Sequence, residues 1–220
     1  ASLMAAIYAG ETWVVNSSSL RYFPRPMTTE TAGTEQVKYA ALEWRNENGD
    51  IFYHFQEGTV CYLKGESAPF TGRAVELFDN GNISLEGEFC EGLAHGEEVW
   101  WFENGNKNSL VTYLHGERHG PHLVWYESGQ LQIDVCYSHG QRDGRHAVYH
   151  ENGQVRSEAH FSKDKLKGTY TTWYEDGSKR SERTFFDGQE GKRLEWNRKG
   201  EQKKLNNWNP DGSAKVVAEA

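Results

Sequence analysis

The stretch Arg73–Gly96, RAVELFDNGNISLEGEFCEGLAHG, decides the fold, because its glycines come back at a fixed interval. Gly72, Gly96, Gly120, Gly144 and Gly168 stand 24 residues apart, and Gly81, Gly105, Gly129, Gly153 and Gly177 keep the same step. A third series runs Gly92, Gly116, Gly140, Asp164 and Gly188. Three series in fixed phase mark a repeat protein, in which each block is one supersecondary unit stacked on its neighbours.

Positions counted from the turn glycine at 81 and its equivalents carry the rest of the pattern. Four before it stand Leu77, Trp101, Trp125, Tyr149, Trp173 and Trp196 (the last counted from Gly200). Eight after it stand Phe89, Tyr113, Tyr137, Phe161, Phe185 and Trp208. Alternation with period two on both sides of the glycine reads as two strands, and the rings at these two positions read as one buried row. A three-residue loop such as Asp79-Asn80-Gly81, with glycine in its left-handed last position, pairs position −4 with +2. It sets Leu77 beside Ile83 and, carried on without interruption, Val75 beside Leu85 and His146 opposite Glu158. The connection Glu91–Gly96 and its equivalents read as a short loop to the next hairpin. The expected fold is all-β: an elongated antiparallel meander of stacked β-hairpin repeats of about 24 residues, one sheet thick.

Composition agrees with a thin body. Hydrophobic residues make up 36% of the 220, while there are 23 glycines, 8 tryptophans and 11 tyrosines. Large rings bury much area each, so few are needed per rung. The net charge is −8, spread unevenly: residues 151–220 hold 14 Lys or Arg against 12 Asp or Glu, and residues 1–150 hold 10 against 20. An acidic chain without a basic groove argues against nucleic acid as a partner. Cys61, Cys90 and Cys136 fall in different hairpins, two strands or more apart and beyond disulfide reach. No apolar run is long enough to span a bilayer.

Along the chain, residues 1–35 form an irregular lead-in with a strand at Thr12–Val15. Residues 36–72 hold the first hairpins, around Asn46-Glu47-Asn48-Gly49 and the turn Gln56-Glu57-Gly58, and an entry loop around Pro69. Residues 73–191 are five repeats. Residues 192–220 are a polar capping repeat and tail, with Gln202 and Lys204 at core-facing positions. The opening ASLMAAIYA has the composition of the end of a secretory apolar segment or of a buried first segment. It favours an exported or periplasmic bacterial protein over a cytoplasmic one.

Blocks of the form W-Y-x-N-G-Q-L-x-x-E-x-x-Y-x-x-G-x-x-x-G resemble the bacterial variant of the MORN repeat, found in the YwqK-type antitoxin family. The tract Tyr62–Gly72 is similar to the segment that often precedes the first repeat there. The likeness covers residues 56–212, with Lys107 and Ser109 departing from usually apolar sites. It implies hairpin repeats in an extended sheet and neutralisation of a partner toxin, and it carries no catalytic residues.

Chemistry-bearing clusters are few. His115, His119 and His122 gather around one connection, with His95 and His139 at neighbouring ones, yet no Cys or carboxylate pattern completes a zinc site. No nucleophile elbow, phosphate loop or His-Glu-x-x-His occurs. No enzyme, cofactor or metal is therefore expected. A second row of rings, Phe78, Phe102, Tyr126, His150 and Tyr174, with Trp100 two residues before Phe102, forms a candidate binding stripe. The expected activity is protein binding. Its rivals are an exported carbohydrate- or envelope-binding module that stacks sugars on that stripe, and membrane-surface binding, which the acidic charge disfavours.

Overall fold

The computed structural model describes residues 5–8, 11–14, 36–52, 59–186, 188–203 and Ser213. The chain forms two units, residues 1–34 and 35–220. In the first, β1 (Ala5–Tyr8) pairs antiparallel with β2 (Glu11–Val14). The strand expected at Thr12–Val15 therefore starts one residue earlier and has a partner. The rest of the lead-in, the turn Gln56-Glu57-Gly58, Lys204 and Trp208 lie outside the described residues.

The second unit opens with β3 (Gln36–Lys38), a 3₁₀ turn (Tyr39–Ala41), β4 (Leu42–Arg45), β5 (Ile51–Phe52) and β6 (Val60–Leu63). The last three form a small sheet in the order β5-β4-β6. Ten strands then follow in a meander: β7 (Gly72–Leu77), β8 (Ile83–Cys90), β9 (Leu93–Trp101), β10 (Lys107–Leu114), β11 (Glu117–Trp125), β12 (Leu131–Ser138), β13 (Gln141–Tyr149), β14 (Val155–Ser162), β15 (Lys165–Trp173) and β16 (Lys179–Phe186). β17 (Gln189–Glu195) ends the ladder. Together with β3 these make a 12-stranded sheet in sequence order. All its pairs are antiparallel except β3 on β7, which is parallel because the chain leaves and returns through the small sheet.

The tips form as the glycine phase requires. Gly81 N donates to Phe78 O at 2.9 Å and Phe78 N to Asn82 O at 2.8 Å, which closes a three-residue loop, and Gly105, Gly129, Gly153, Gly177 and Gly200 repeat it. The β4–β5 hairpin has the same tip around Gly49. Side-chain oxygens of Asn80, Asn104, Asn152 and Asp176 accept from the backbone N–H two residues on, which fixes the turn locally.

Past the tip, the expected register breaks. Leu77 does pair with Ile83, but Glu76 then pairs with Leu85 and Val75 with Glu86. One residue (Ser84, Asn108, Gln132, Arg156 or Arg180) is extra in each hairpin, a bulge that recurs in all five. His146 consequently faces Ala159 and not Glu158. Because side chains alternate with period two, one extra residue moves everything beyond it to the other side. Trp125 shares a face with Leu123, Leu131 and Asp134, whereas Tyr137 shares the opposite face with His122, Val124 and Val135. The two ring rows are thus not one buried row. They line opposite faces of the sheet, the tryptophan face and the tyrosine face.

The connections are also tighter than expected. Cys90 pairs with Leu93, so only Glu91 and Gly92 form the turn, and both have positive φ (51° and 75°). His115-Gly116, His139-Gly140 and Lys163-Asp164 repeat that pattern, the one a two-residue hairpin demands. Gly96, Gly120 and Gly144 are not loop residues but sit within strands at a second register shift, with φ of 81°, 99° and 105°. Successive turns are joined edge to edge: Gly92 N donates to Phe70 O, Gly116 N to Ala94 O, Gly140 N to Arg118 O and Asp164 N to Arg142 O, at 2.7–3.0 Å.

The core lies at one end. Leu42 and Trp44 of β4, Cys61 of β6, Phe70, Ala74 and Phe89 form one buried cluster, with Tyr39 edge-on to Phe89. The small sheet and the 3₁₀ turn thereby cover the tyrosine face of the first hairpin.

Candidate functional site

Beyond that cover, the main contacts of β10 to β16 are with their neighbours in the sheet. What each face displays can be read from the register.

The tyrosine face of the middle hairpins alternates rings with cations. Arg118 lies over the Tyr137 ring at 5.4 Å, Arg142 over Phe161 at 4.2 Å and Arg183 over Tyr170 at 4.9 Å. His122 packs on Tyr137 and His146 on Phe161, with ring centres 5.9 and 5.6 Å apart. Placing a guanidinium over a ring is favourable and holds both groups in one geometry. Burial, then the charges of Arg118 and His146, lowers the His122 pKa. Burial and Arg142 do the same to His146, against a smaller raising effect of Asp134. Both shifts favour the neutral imidazole. On this face the residues from Ser109 to Thr172 are not carboxylates, and the acid that borders them is Glu98, paired with Val111 and close to Arg118. Among the described residues, an acidic chain thus presents a stripe that carries arginines beyond Glu98 at its near end. At its near end, Trp100 is 42% exposed and its indole donates to Glu98 Oε1 at 3.2 Å. Burial raises the Glu98 pKa, with Trp100 and Arg118 opposing.

The tryptophan face is different. Arg145 bridges Asp134 and Glu158 and also donates to the Tyr149 hydroxyl. Glu158, His160, Thr169, Thr171 and Trp173 line a shallow depression beside it. Acids and bases alternate here.

The candidate stripe read from the sequence falls elsewhere. Phe78, Phe102, Tyr126, His150 and Tyr174 are half-buried along the edge formed by the hairpin tips. Tyr126 Oη donates to Tyr149 O at 2.9 Å, Tyr174 Oη donates to Trp196 O at 3.0 Å, and His150 Nε2 contacts Trp173 O at 3.2 Å. Asn104 and Asn152 amides donate likewise to Glu127 O and Glu175 O. Tyr126, His150 and Tyr174 thereby tie one tip to the next. Of the six residues, Trp100 alone stands apart from the tips, on the tyrosine face. Arg118 and Arg142 have no signal in the sequence pattern, and His122 and His146 take other neighbours than the pattern gives them, because their face depends on the bulge and no single residue type marks the bulge.

The histidines also pair differently. His95 packs on His115 and His119 on His139, each pair bridging two connections. Among the described residues, no group of three or more His, Cys, Asp or Glu is placed to hold a metal. Cys61, Cys90 and Cys136 are free thiols, and burial pushes the Cys61 pKa up to about 12.

Four consecutive segments, 94–115, 118–139, 142–163 and 166–187, match the family model described as MORN repeat variant. The four matches follow one another in tandem over residues 94–187. Each matched segment is one hairpin with its tip at the centre. The hairpin β7–β8 shares their tip and bulge yet lies outside the matched segments, so the family pattern covers four of the five units expected. No curated protein matches the chain.

Proposed function

We propose that the chain is a non-enzymatic repeat module that binds a protein partner along the tyrosine face, through a partner segment rich in carboxylates. The observation that carries this is the run of arginines over rings, bordered by the acid Glu98 only at its near end among the described residues, on a chain of net charge −8. Opposite charge on the partner steers encounter and fixes register, and the rings supply desolvated contact area. Neutralisation of a toxin, as the resemblance to the YwqK-type family implies, is the specific form of this reading. Affinity purification of the intact chain from its native host, followed by Arg142→Glu, tests it. A stoichiometric partner that is lost in the variant supports the proposal; a partner retained at full affinity overturns it.

A second reading, carbohydrate binding, rests on the depression where Trp173 lies beside Glu158, Thr169 and Thr171. A ring next to polar side chains can stack a sugar and hold its hydroxyls. Glycan binding lost in Trp173→Ala and kept in Arg142→Glu would select this reading over the first.

A further inference from the structure

The connecting turns repeat one contact. The residue before each in-strand glycine (Thr71, His95, His119 or Asp143) meets the first residue of the next two-residue turn (Glu91, His115, His139 or Lys163). In the outer pairs the contact is a hydrogen bond: Glu91 N donates to Thr71 Oγ1 at 2.8 Å, and Lys163 N to Asp143 Oδ2 at 3.3 Å. In the middle two pairs both members are imidazoles. Their ring centres lie 5.2 Å apart for His95–His115 and 5.1 Å for His119–His139, inclined at 61° and 74°.

That spacing is one a metal ion uses. An ion about 2.0–2.1 Å from one nitrogen of each of two imidazoles, at a tetrahedral angle, holds the ring centres about 5 Å apart. We propose that His95–His115 and His119–His139 are two equivalent bis-imidazole sites for a divalent transition-metal ion of the zinc, copper or nickel type, which imidazole suits. Water completes the coordination in the isolated chain.

Three further observations fit. His115 and His139 are exposed, so ions reach them from solvent, while His95 and His119 are half-buried and better fixed. His95 Nδ1 is buried and makes no hydrogen bond, which leaves a ligand atom unused. Glu117 Oε2 lies 3.6 Å from His139 Nδ1, where a carboxylate orients a ligating imidazole and leaves the other nitrogen for the metal. Leu93 takes the place of Glu117 at the first pair. The second site is therefore the tighter one. Arg118, beside His119 in the chain, is turned over the Tyr137 ring. Binding clips neighbouring connections together.

The test is a titration of the untagged full chain with copper(II) at neutral pH, followed by calorimetry and electron paramagnetic resonance. Two ions per chain are expected, each with the nitrogen signature of two imidazoles, and a dipolar coupling between coppers about 10 Å apart, one repeat. Because residue 115 has a φ of 48° and residue 139 also 48°, asparagine is the replacement that keeps the turn. His115→Asn and His139→Asn each remove one ion and abolish the coupling. The double variant binds none, with an unchanged circular dichroism spectrum. Glu117→Gln weakens the second site alone, about 10-fold or more. Copper bound at unchanged stoichiometry in the double variant, or no copper bound by the parent chain, overturns the proposal.

Discussion

The hairpin β7–β8 and the hairpin β13–β14 have one backbone and two surroundings. Both carry the three-residue tip, the bulge and the two-residue turn that follows. In the first, Phe89 is 7% exposed and Ala74 fully buried under Trp44, Leu42 and Tyr39. In the second, Phe161 and His146 at the equivalent positions are half-open, with Arg142 as their lid. The same strand geometry with and without a core shows that turn chemistry and inter-turn hydrogen bonds set the repeat. The core anchors only one end.

Truncating the equivalent rings gives the largest contrast. Phe89→Ala should cost about 3–5 kcal/mol, the range for emptying a sealed aromatic site. Phe161→Ala should cost about 1–2 kcal/mol, since a half-open ring surrenders less buried area. Equal losses in chemical denaturation would mean that the open hairpins hide a core of their own.

The turn glycines sharpen the point. Gly92 and Gly140 have φ of 75° and 74° at the same turn position. A Cβ on Gly92 would come within 2.3 Å of Val60 Cγ1 and 2.7 Å of Cys61 O, while a Cβ on Gly140 meets nothing. Gly92→Ala is expected to lose about 3 kcal/mol or more and Gly140→Ala about 1–2, the cost of the left-handed backbone alone. The natural Asp164, with φ of 62°, fits the lower figure.

A smaller effect separates the tips. Tyr126 and Tyr174 have hydroxyls that bond the next tip, whereas Phe78 and Phe102 at the covered end have none. Tyr126→Phe should cost about 1 kcal/mol and raise amide exchange at residues 149 and 150. Unchanged exchange there would remove the tip-to-tip tie from the account.

The smallest expected change is with pH. The folded-state pKa of His122 and of His146 lies below the ordinary histidine value. As pH drops below about 6.5, the unfolded chain therefore takes up protons first. Stability should fall from there down to the folded-state value and level off below it. The Tm measured between pH 7.5 and 5.5 should decline less in His122→Phe/His146→Phe than in the parent. The depressed Asp164 pKa, caused by hydrogen bonds from Arg142, acts in the separate carboxylate window, where its contribution is lost as pH falls.

Much of this was legible in the residues. Asn-Gly at the tips and apolar Ile83, Leu131 and Val155 two residues on gave the loop length, and the loop formed as read. What followed was not legible, because the bulge residues Ser84, Asn108, Gln132, Arg156 and Arg180 are polar like many others in the strands and no single type marks the bulge. A bulge is a backbone event that any polar side chain tolerates, and it reversed the faces of every residue beyond it. Hence Trp125 and Tyr137 were read as neighbours. The imidazole pairs were missed for a related reason: they join residues 20 apart, which meet only because each connection is two residues long. The hairpin β4–β5 is legible around Asn46–Gly49, but the pairing of β6 with β4 instead of β5, and the sheet's place over Phe89, which depends on the parallel return of β3, have no local signal.

Since every hairpin is joined to the next by one recurring set of bonds, the ladder has no privileged length. Excising residues 118–141 would bring Glu117 to Arg142 with strand, turn and bulge still in phase. Such a chain lengthens or shortens only by whole copies, so any partner lying along it is measured in steps of two strands, about 10 Å each.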